Sequence, residues 1–257
     1  WKFTNMLRYD RSFGIHDLSV MAGYEESRHW SDYVFAEKQG LSNFNLWDFD
    51  AMITPKKIGG NTSEYSSRSW FGRVNYAFDD RYLVEFNARY DGSSRFAPDC
   101  RWGWFPSASL GWRLTNESFM AGVSPVLSNM MIRASYGSLG NERIGNYPYQ
   151  ASVNLLNNVM FGSQGPESAT AGAQVRYAVR DITWESTHTW DVGVDFSMFN
   201  NRLDFTGDIY YKKTKDMLLQ VALPAFLGSS GQGAASNPWS NIGSLENKGV
   251  ELTLNTV

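Results

Sequence analysis

A single cysteine, Cys100, in 257 residues excludes an internal disulfide framework and any metal site built on several thiolates. Long apolar runs are also missing, and none approaches the roughly 20 residues that a membrane-crossing helix requires. An excess of one charge is absent: 23 Lys and Arg stand against 26 Asp and Glu, for a net charge of -3. There is no basic field for a phosphate backbone and no cluster of cations interleaved with aromatics, so nucleic acid is not an expected partner. Histidine is scarce. His16, His29 and His188 share no helical or paired spacing that would suggest a metal site or a Ser/His/Asp arrangement. The Gly-rich stretch "LGSSGQGAAS" at 227–236 lacks both a lysine and a strand-to-helix context, so it reads as a surface loop and not as a phosphate cradle. Neither catalysis nor a cofactor is expected.

What the chain has in quantity is aromatic side chains: 10 Trp, 13 Tyr and 16 Phe, with charged residues held to 19%. That mixture suits a β protein with wide polar surfaces. In "SWFGRVNYAFDDRYLVEFNARYDGSSRF", residues 69–96, Trp70, Gly72, Val74, Tyr76 and Phe78 share one strand face, and Phe71, Arg73, Asn75 and Ala77 share the other. A three-residue loop at Asp79-Asp80-Arg81 predicts that Phe78 pairs with Tyr82 and Trp70 with Tyr90. In "HTWDVGVDFSMFNNRLDFTGDIYYKK", a two-residue turn at Asn200-Asn201 predicts Met198 opposite Leu203, Phe196 opposite Phe205 and Trp190 opposite Tyr211. Both hairpins keep their apolar faces in register and set a Trp/Tyr pair far from the turn.

Similar alternation at 2–10, 15–25, 104–114, 131–138 and 248–256 brings the expectation to about nine strands. Tight links fall near 12, 80 and 200, an intermediate one spans 115–129, and long ones span 28–68, 92–103, 139–186 and 214–246. Short connections on one side and long ones on the other are the habit of outer-membrane barrels. The polar faces hold Arg73, Glu85, Arg89, Arg113, Asp191, Asp195, Asp204 and Asp208, which carry little penalty if they face a water-filled lumen. Trp70, Tyr90, Trp190 and Tyr211 would form a lipid-facing girdle. Alternation alone leaves a soluble sandwich or a secreted carbohydrate-binding β domain open. An odd strand count with strand-like sequence at both ends cannot close a barrel, so the chain is expected to be part of a larger one.

Several stretches resemble the SusC/RagA family of TonB-dependent outer-membrane transporters: "FGRVNYAFDDRYLVEFNARYDGSSRFAP", "RWGWFPSASLGWRLTNESF", "IRASYGSLGN", "YPY", "ITWESTHTWDVGVDFSMFNNRLDFTGDIYYKKTKDMLL" and "NIGSLENKGVEL", with "DRSFGIHDLSVMAGYE" as a weaker N-terminal portion. Their order and spacing match as well. The resemblance implies an all-β, antiparallel transmembrane barrel of roughly 22 strands with a plugged lumen, to which residues 1–257 would contribute only part of the barrel, without the plug domain and the C-terminal strands. It also implies the outer membrane of a Bacteroidetes-type bacterium, a SusD-like surface lipoprotein as lid, TonB as the source of force through a segment not in this chain, and an oligosaccharide or oligopeptide cargo. A passive porin is the alternative. Trp30, Trp47, Trp184 and Trp239, placed by this reading in long loops, are candidates for ligand or partner contact, against a simpler role in loop packing. Trp102 and Trp104 are weaker candidates, because "RWGWF" belongs to the shared motif. Inward charges either line the permeation path or pair with one another across strands.

Overall fold

The structure, a computed structural model, describes residues 1–41, 45–46, 48–123, 126–162, 167–224, 226 and 237–256. Thirteen strands are present among the described residues: β1 (Lys2–Phe13), β2 (His16–Leu41), β3 (Met52–Phe78), β4 (Tyr82–Ser93), β5 (Trp102–Arg113), β6 (Leu127–Asn141), β7 (Ser152–Phe161), β8 (Glu167–Arg176), β9 (Glu185–Met198), β10 (Leu203–Lys215), β11 (Leu218–Gln220), β12 (Trp239–Asn241) and β13 (Leu245–Thr256). Nine of them form one antiparallel sheet in the order β1-β2-β3-β4-β5-β6-β9-β10-β13. The remaining four make two small hairpins, β7 with β8 and β11 with β12. The sheet is therefore a meander whose long links carry hairpins of their own.

The two local registers follow the expected pairing. Phe78 faces Tyr82 and Trp70 faces Tyr90; Met198 faces Leu203, Phe196 faces Phe205 and Trp190 faces Tyr211. The turn at 200 is wider than two residues, since pairing ends at Met198 and Leu203 and Phe199, Asn200 and Asn201 all take left-handed backbone. The amide of Phe199 turns aside to the carbonyl of Val126 at 2.9 Å, on the link leading into β6. The first turn sits at Gly14-Ile15, beyond the link expected near 12, and Gly14 has φ +64.

The connection at 28–68 is not a loop. β2 and β3 run on as a long hairpin, paired from Tyr24 and Trp70 out to Leu41 and Met52 with a register shift at Glu37/Lys38. Trp30 is accordingly a strand residue, opposite Glu64 and 59% exposed. Beyond the bilayer neither face of a strand need be apolar, so pairing continues while the period-two hydropathy signal fades. Trp239 also lies on a strand, β12, and Trp102 and Trp104 lie on β5. Trp47 and the stretch 227–236 fall outside the described residues.

Registers propagate one face across the whole sheet. A cross-strand row runs Leu18, Tyr76, Val84, Leu110, Ala134, Val192, Ile209 and Val250 from β2 to β13. The adjoining row, on the opposite face, runs Asp10, Ser19, Asn75, Glu85, Ser109, Ser135, Asp191 and Tyr210. The apolar row is exposed: Leu110 at 57%, Val192 at 56%, Ile209 at 64% and Val250 at 63%. No second sheet covers it among the described residues, which removes the sandwich reading. Side chains of this kind left uncovered require an apolar solvent.

Two aromatic rows bound that face. Near the long links stand Tyr24, Trp70, Tyr90 and Trp104, and near the short turns His16, Phe78, Tyr82 and Trp112. Eight residues separate Trp70 from Phe78, about 27 Å of strand. A tilt of roughly 40° reduces this to about 20 Å of height, near the ~25 Å apolar band of outer-membrane barrels. From β6 to β10 the upper row continues as Tyr136, Trp190 and Tyr211, with ring centroids 5.3 Å and 5.5 Å apart. Tyr136 sits opposite Ala108, four positions below Trp104, as tilted strands demand of a level girdle. From β2 to β10 no Asp, Glu, Lys or Arg lies on this face between the rows.

Candidate functional site

The polar face is concave, because a trough of 580 Å³ is lined by side chains from strands as far apart as β1 and β9, Asp10, Asp17, Asn75, Glu85, Arg133 and Asp191 among them. Its charges are arranged in pairs. Arg73 donates to Asn87 at 2.6 Å, whose own amide donates to Glu85 at 2.7 Å. Arg89 binds Asp91 at 3.0 Å and lies over the Phe71 ring. Arg113 pairs with Asp80 at the short turn. Asp204 faces Ser197 and Asn255, with no ion pair among the described residues.

The largest cluster centres on Arg133, which the sequence reading passed over. Its guanidinium meets Asp208 at 2.6 Å, Asp195 at 2.8 Å and Asp191 at 3.4 Å. Arg133, Gly193 and Asp208 occupy one cross-strand row on β6, β9 and β10. The missing side chain at Gly193 is what lets the guanidinium cross β9, since a Cβ there would collide with the Asp208 carboxylate and the Arg133 head. The three aspartates were legible as inward charges, but their shared cation sits on a strand that reaches β9 only after the 142–184 excursion. Among the eight named polar-face charges, the structure brings these three together, links Arg73 to Glu85 through Asn87, pairs Arg89 and Arg113 each with another aspartate, and leaves Asp204 without an ion pair among the described residues.

At the long-link end the molecule builds its own core. Phe96 and Ile182 are fully buried and pack with Ile144 and Leu218, against which Val179, Trp184 and Trp239 lie. Trp184 also stacks edge-on to Phe105, a polar-face residue of β5, with centroids 5.3 Å apart, and spends its indole N–H on the Arg101 carbonyl at 2.9 Å. Asn241 clamps the same region through Thr183 and Asp216. Links after β4, β6 and β10 are thereby tied into one platform over the inner end of β5. Trp184 and Trp239 are held in that platform, and Trp30 stands free on the β2–β3 hairpin.

The short-turn end is organised by Glu117. Its Oε1 accepts from the phenol of Tyr82 at 2.8 Å and from the indole of Trp112 at 3.0 Å, joining the polar tips of two facing girdle residues. Arg81 reaches its other oxygen at 3.4 Å. The hydrogen bonds from Trp112 and then Tyr82 hold the Glu117 carboxyl below its ordinary value of 4.5. A depressed folded-state value means stability that is present above pH 4.5 and lost as pH falls through the lowered value. Glu117→Gln is expected to lower the unfolding midpoint at neutral pH and to flatten its acid dependence below pH 4.5, read by thermal melts across pH.

Within the apolar band the phenols are satisfied by histidines. Tyr76 bonds His16 at 2.7 Å and Tyr136 bonds His188 at 2.9 Å, so both hydroxyls avoid facing hydrocarbon unpaired.

Comparisons with known proteins converge on one family. The family model described as TonB dependent receptor-like, beta-barrel, matches residues 1–256. The chain is 34% identical over 253 residues to the TonB-dependent receptor SusC of Bacteroides thetaiotaomicron, covering 97% of this chain and 24% of that protein. It is 32% identical over 254 residues to the TonB-dependent receptor P3 of Formosa agariphila, covering 98% and 24%. Among solved structures, the RagAB peptide importer in its open-open state superposes with a TM-score of 0.83 at 30% identity, over 98% of this chain and 27% of that one. The siderophore receptor PirA of Pseudomonas aeruginosa, at TM-score 0.57 and 14% identity over 98% of this chain and 38% of that one, shares the fold alone. The chain thus spans about a quarter of the length of the curated relatives it matches.

Proposed function

The chain belongs to the TonB-dependent receptor β-barrel family, and on that premise we propose that it forms part of the barrel wall of an active importer of the SusC type. The barrel resides in the outer membrane. The imported cargo is an oligosaccharide or oligopeptide, a SusD-like surface lipoprotein serves as lid, and TonB supplies the force. Named relatives include a TonB-dependent receptor called SusC and a RagAB peptide importer, which supports that reading.

One observation carries the role of this span: from β2 to β10 an apolar face free of fixed charge between two aromatic rows backs directly onto a concave polar face rich in ion pairs. Such a wall separates hydrocarbon from an aqueous interior across the thickness of a single sheet. Arg73, Glu85, Arg89, Arg113, Asp191, Asp195, Asp204 and Asp208 then face the lumen, where pairing holds the wall in shape. Trp70, Tyr90, Trp190 and Tyr211 face lipid at its long-link border.

The test is uptake of labelled oligosaccharides and oligopeptides by cells expressing the full-length protein, with and without TonB and with the membrane potential collapsed. Active import predicts loss of uptake in both depleted states. Uptake that persists in both would establish a passive porin instead.

A further inference from the structure

The motif "DIYYKKTK" ends β10 with cations that the transport reading leaves without a role. Lys213 and Lys215 fall on the same sheet face as Tyr211, one and two strand repeats above it. Lys248 of β13 stands directly opposite Tyr211, and Glu246 directly opposite Lys213. Glu246 binds Lys213 at 2.6 Å. Lys215 and Lys248 are exposed and have no ion-pair partner among the described residues.

Elsewhere among the described residues of this rim, charges are matched or absent. On β2 and β3, Arg28 is matched by Glu64 at 2.7 Å and Arg68 by Glu26 at 3.1 Å. On β4, β5 and β9 the positions above the girdle on this face are Gly92, Trp102, Ser186 and His188, none of them a fixed charge. The cationic excess is therefore local to β10 and β13. It lies just above Trp190 and Tyr211, which border the lipid-facing band. One strand repeat is about 6.7 Å, and the headgroup layer adds roughly 5–7 Å beyond the hydrocarbon on each side. Lys213 and an upward-reaching Lys248 place their ammonium groups at headgroup depth.

We propose that Lys213, Lys215 and Lys248, seated on the Trp190/Tyr211 shelf, form a site for the phosphate-bearing headgroup of a lipid in the long-link leaflet. Charge complementarity and continuity with the lipid-facing band select a lipid over a protein partner. The site rests on the membrane location and not on the import reading, so its failure leaves that reading intact.

The experiment is native mass spectrometry of the full-length protein in detergent, titrated with phosphatidic acid or with phosphatidylcholine. The wild type is expected to retain phosphatidic acid preferentially. Lys213→Gln, Lys215→Gln and Lys248→Gln together are expected to weaken that binding about 25-fold, from about fivefold for each of the two unpaired cations. The corresponding Arg triple keeps the charge and should keep the lipid, and a control triple, Lys38→Gln, Lys56→Gln and Lys57→Gln, should bind as wild type. No preference for phosphatidic acid in the wild type, equal retention by the Gln triple, or loss in the Arg triple would each overturn the proposal.

Discussion

Replacing Arg133 with alanine is expected to lower the stability of the barrel by about 2–3 kcal/mol, with the unfolding midpoint in urea as the readout. The cause is what stays behind. Asp191, Asp195 and Asp208 would face one another across β9 and β10 with no shared cation. Breaking a buried pair from one side costs about 3–5 kcal/mol. The Arg133 side chain is 32% exposed and its face opens to water, which argues for the lower figure. A second substitution separates repulsion from lost packing: adding Asp208→Asn to Arg133→Ala removes one of the three charges and should recover part of the loss. If the double variant is no more stable than the single one, the cation does not act by neutralising this cluster. Gly193→Val should give a loss of similar kind with every charge still present, because it blocks the path that the guanidinium takes to Asp208.

The second large effect is a contrast between neighbours. Ala108 lies on the apolar face of β5, four positions from each of the girdle residues Trp104 and Trp112, and so near mid-bilayer. Ser109 follows it at nearly the same depth on the polar face, opposite Glu85. Arginine on a lipid face at the midplane costs about 2–4 kcal/mol, and close to nothing where water is at hand. Ala108→Arg should therefore impair assembly into vesicles by that amount. Ser109→Arg should be near neutral, and the carboxylate of Glu85 gives it a partner. Equal effects at the two positions would mean that both faces meet the same solvent, and the assignment of lipid to one of them would fail.

Legibility in the sequence followed distance along the chain. The hairpins around Asp79-Asp80 and Asn200-Asn201 were readable because a tight turn and a period-two pattern fix register within about a dozen residues. The cross-strand pairs Trp70 with Tyr90 and Trp190 with Tyr211 came with them. The β2–β3 extension was misread as a loop: its residues 56–67, "KKIGGNTSEYSS", lack the alternation that a lipid-facing strand must show. Trp184 and Trp239 looked alike as loop tryptophans, yet both are held in the platform around Phe96 and Ile182. That platform draws on residues from 96 to 239, and nothing local announces which of them meet.

The amino-acid sequence alone decided which side chains of each strand share one apolar face and how the tight hairpins register. Each depends on side-chain period and on turns closed within a few residues. Only the folded sheet decided that Arg133 answers three aspartates across Gly193, that Glu117 ties Tyr82 to Trp112, and that distant links share one core. Those contacts join strands separated by long excursions, and their partners are chosen when the sheet curves and closes its ladders, which no local pattern encodes.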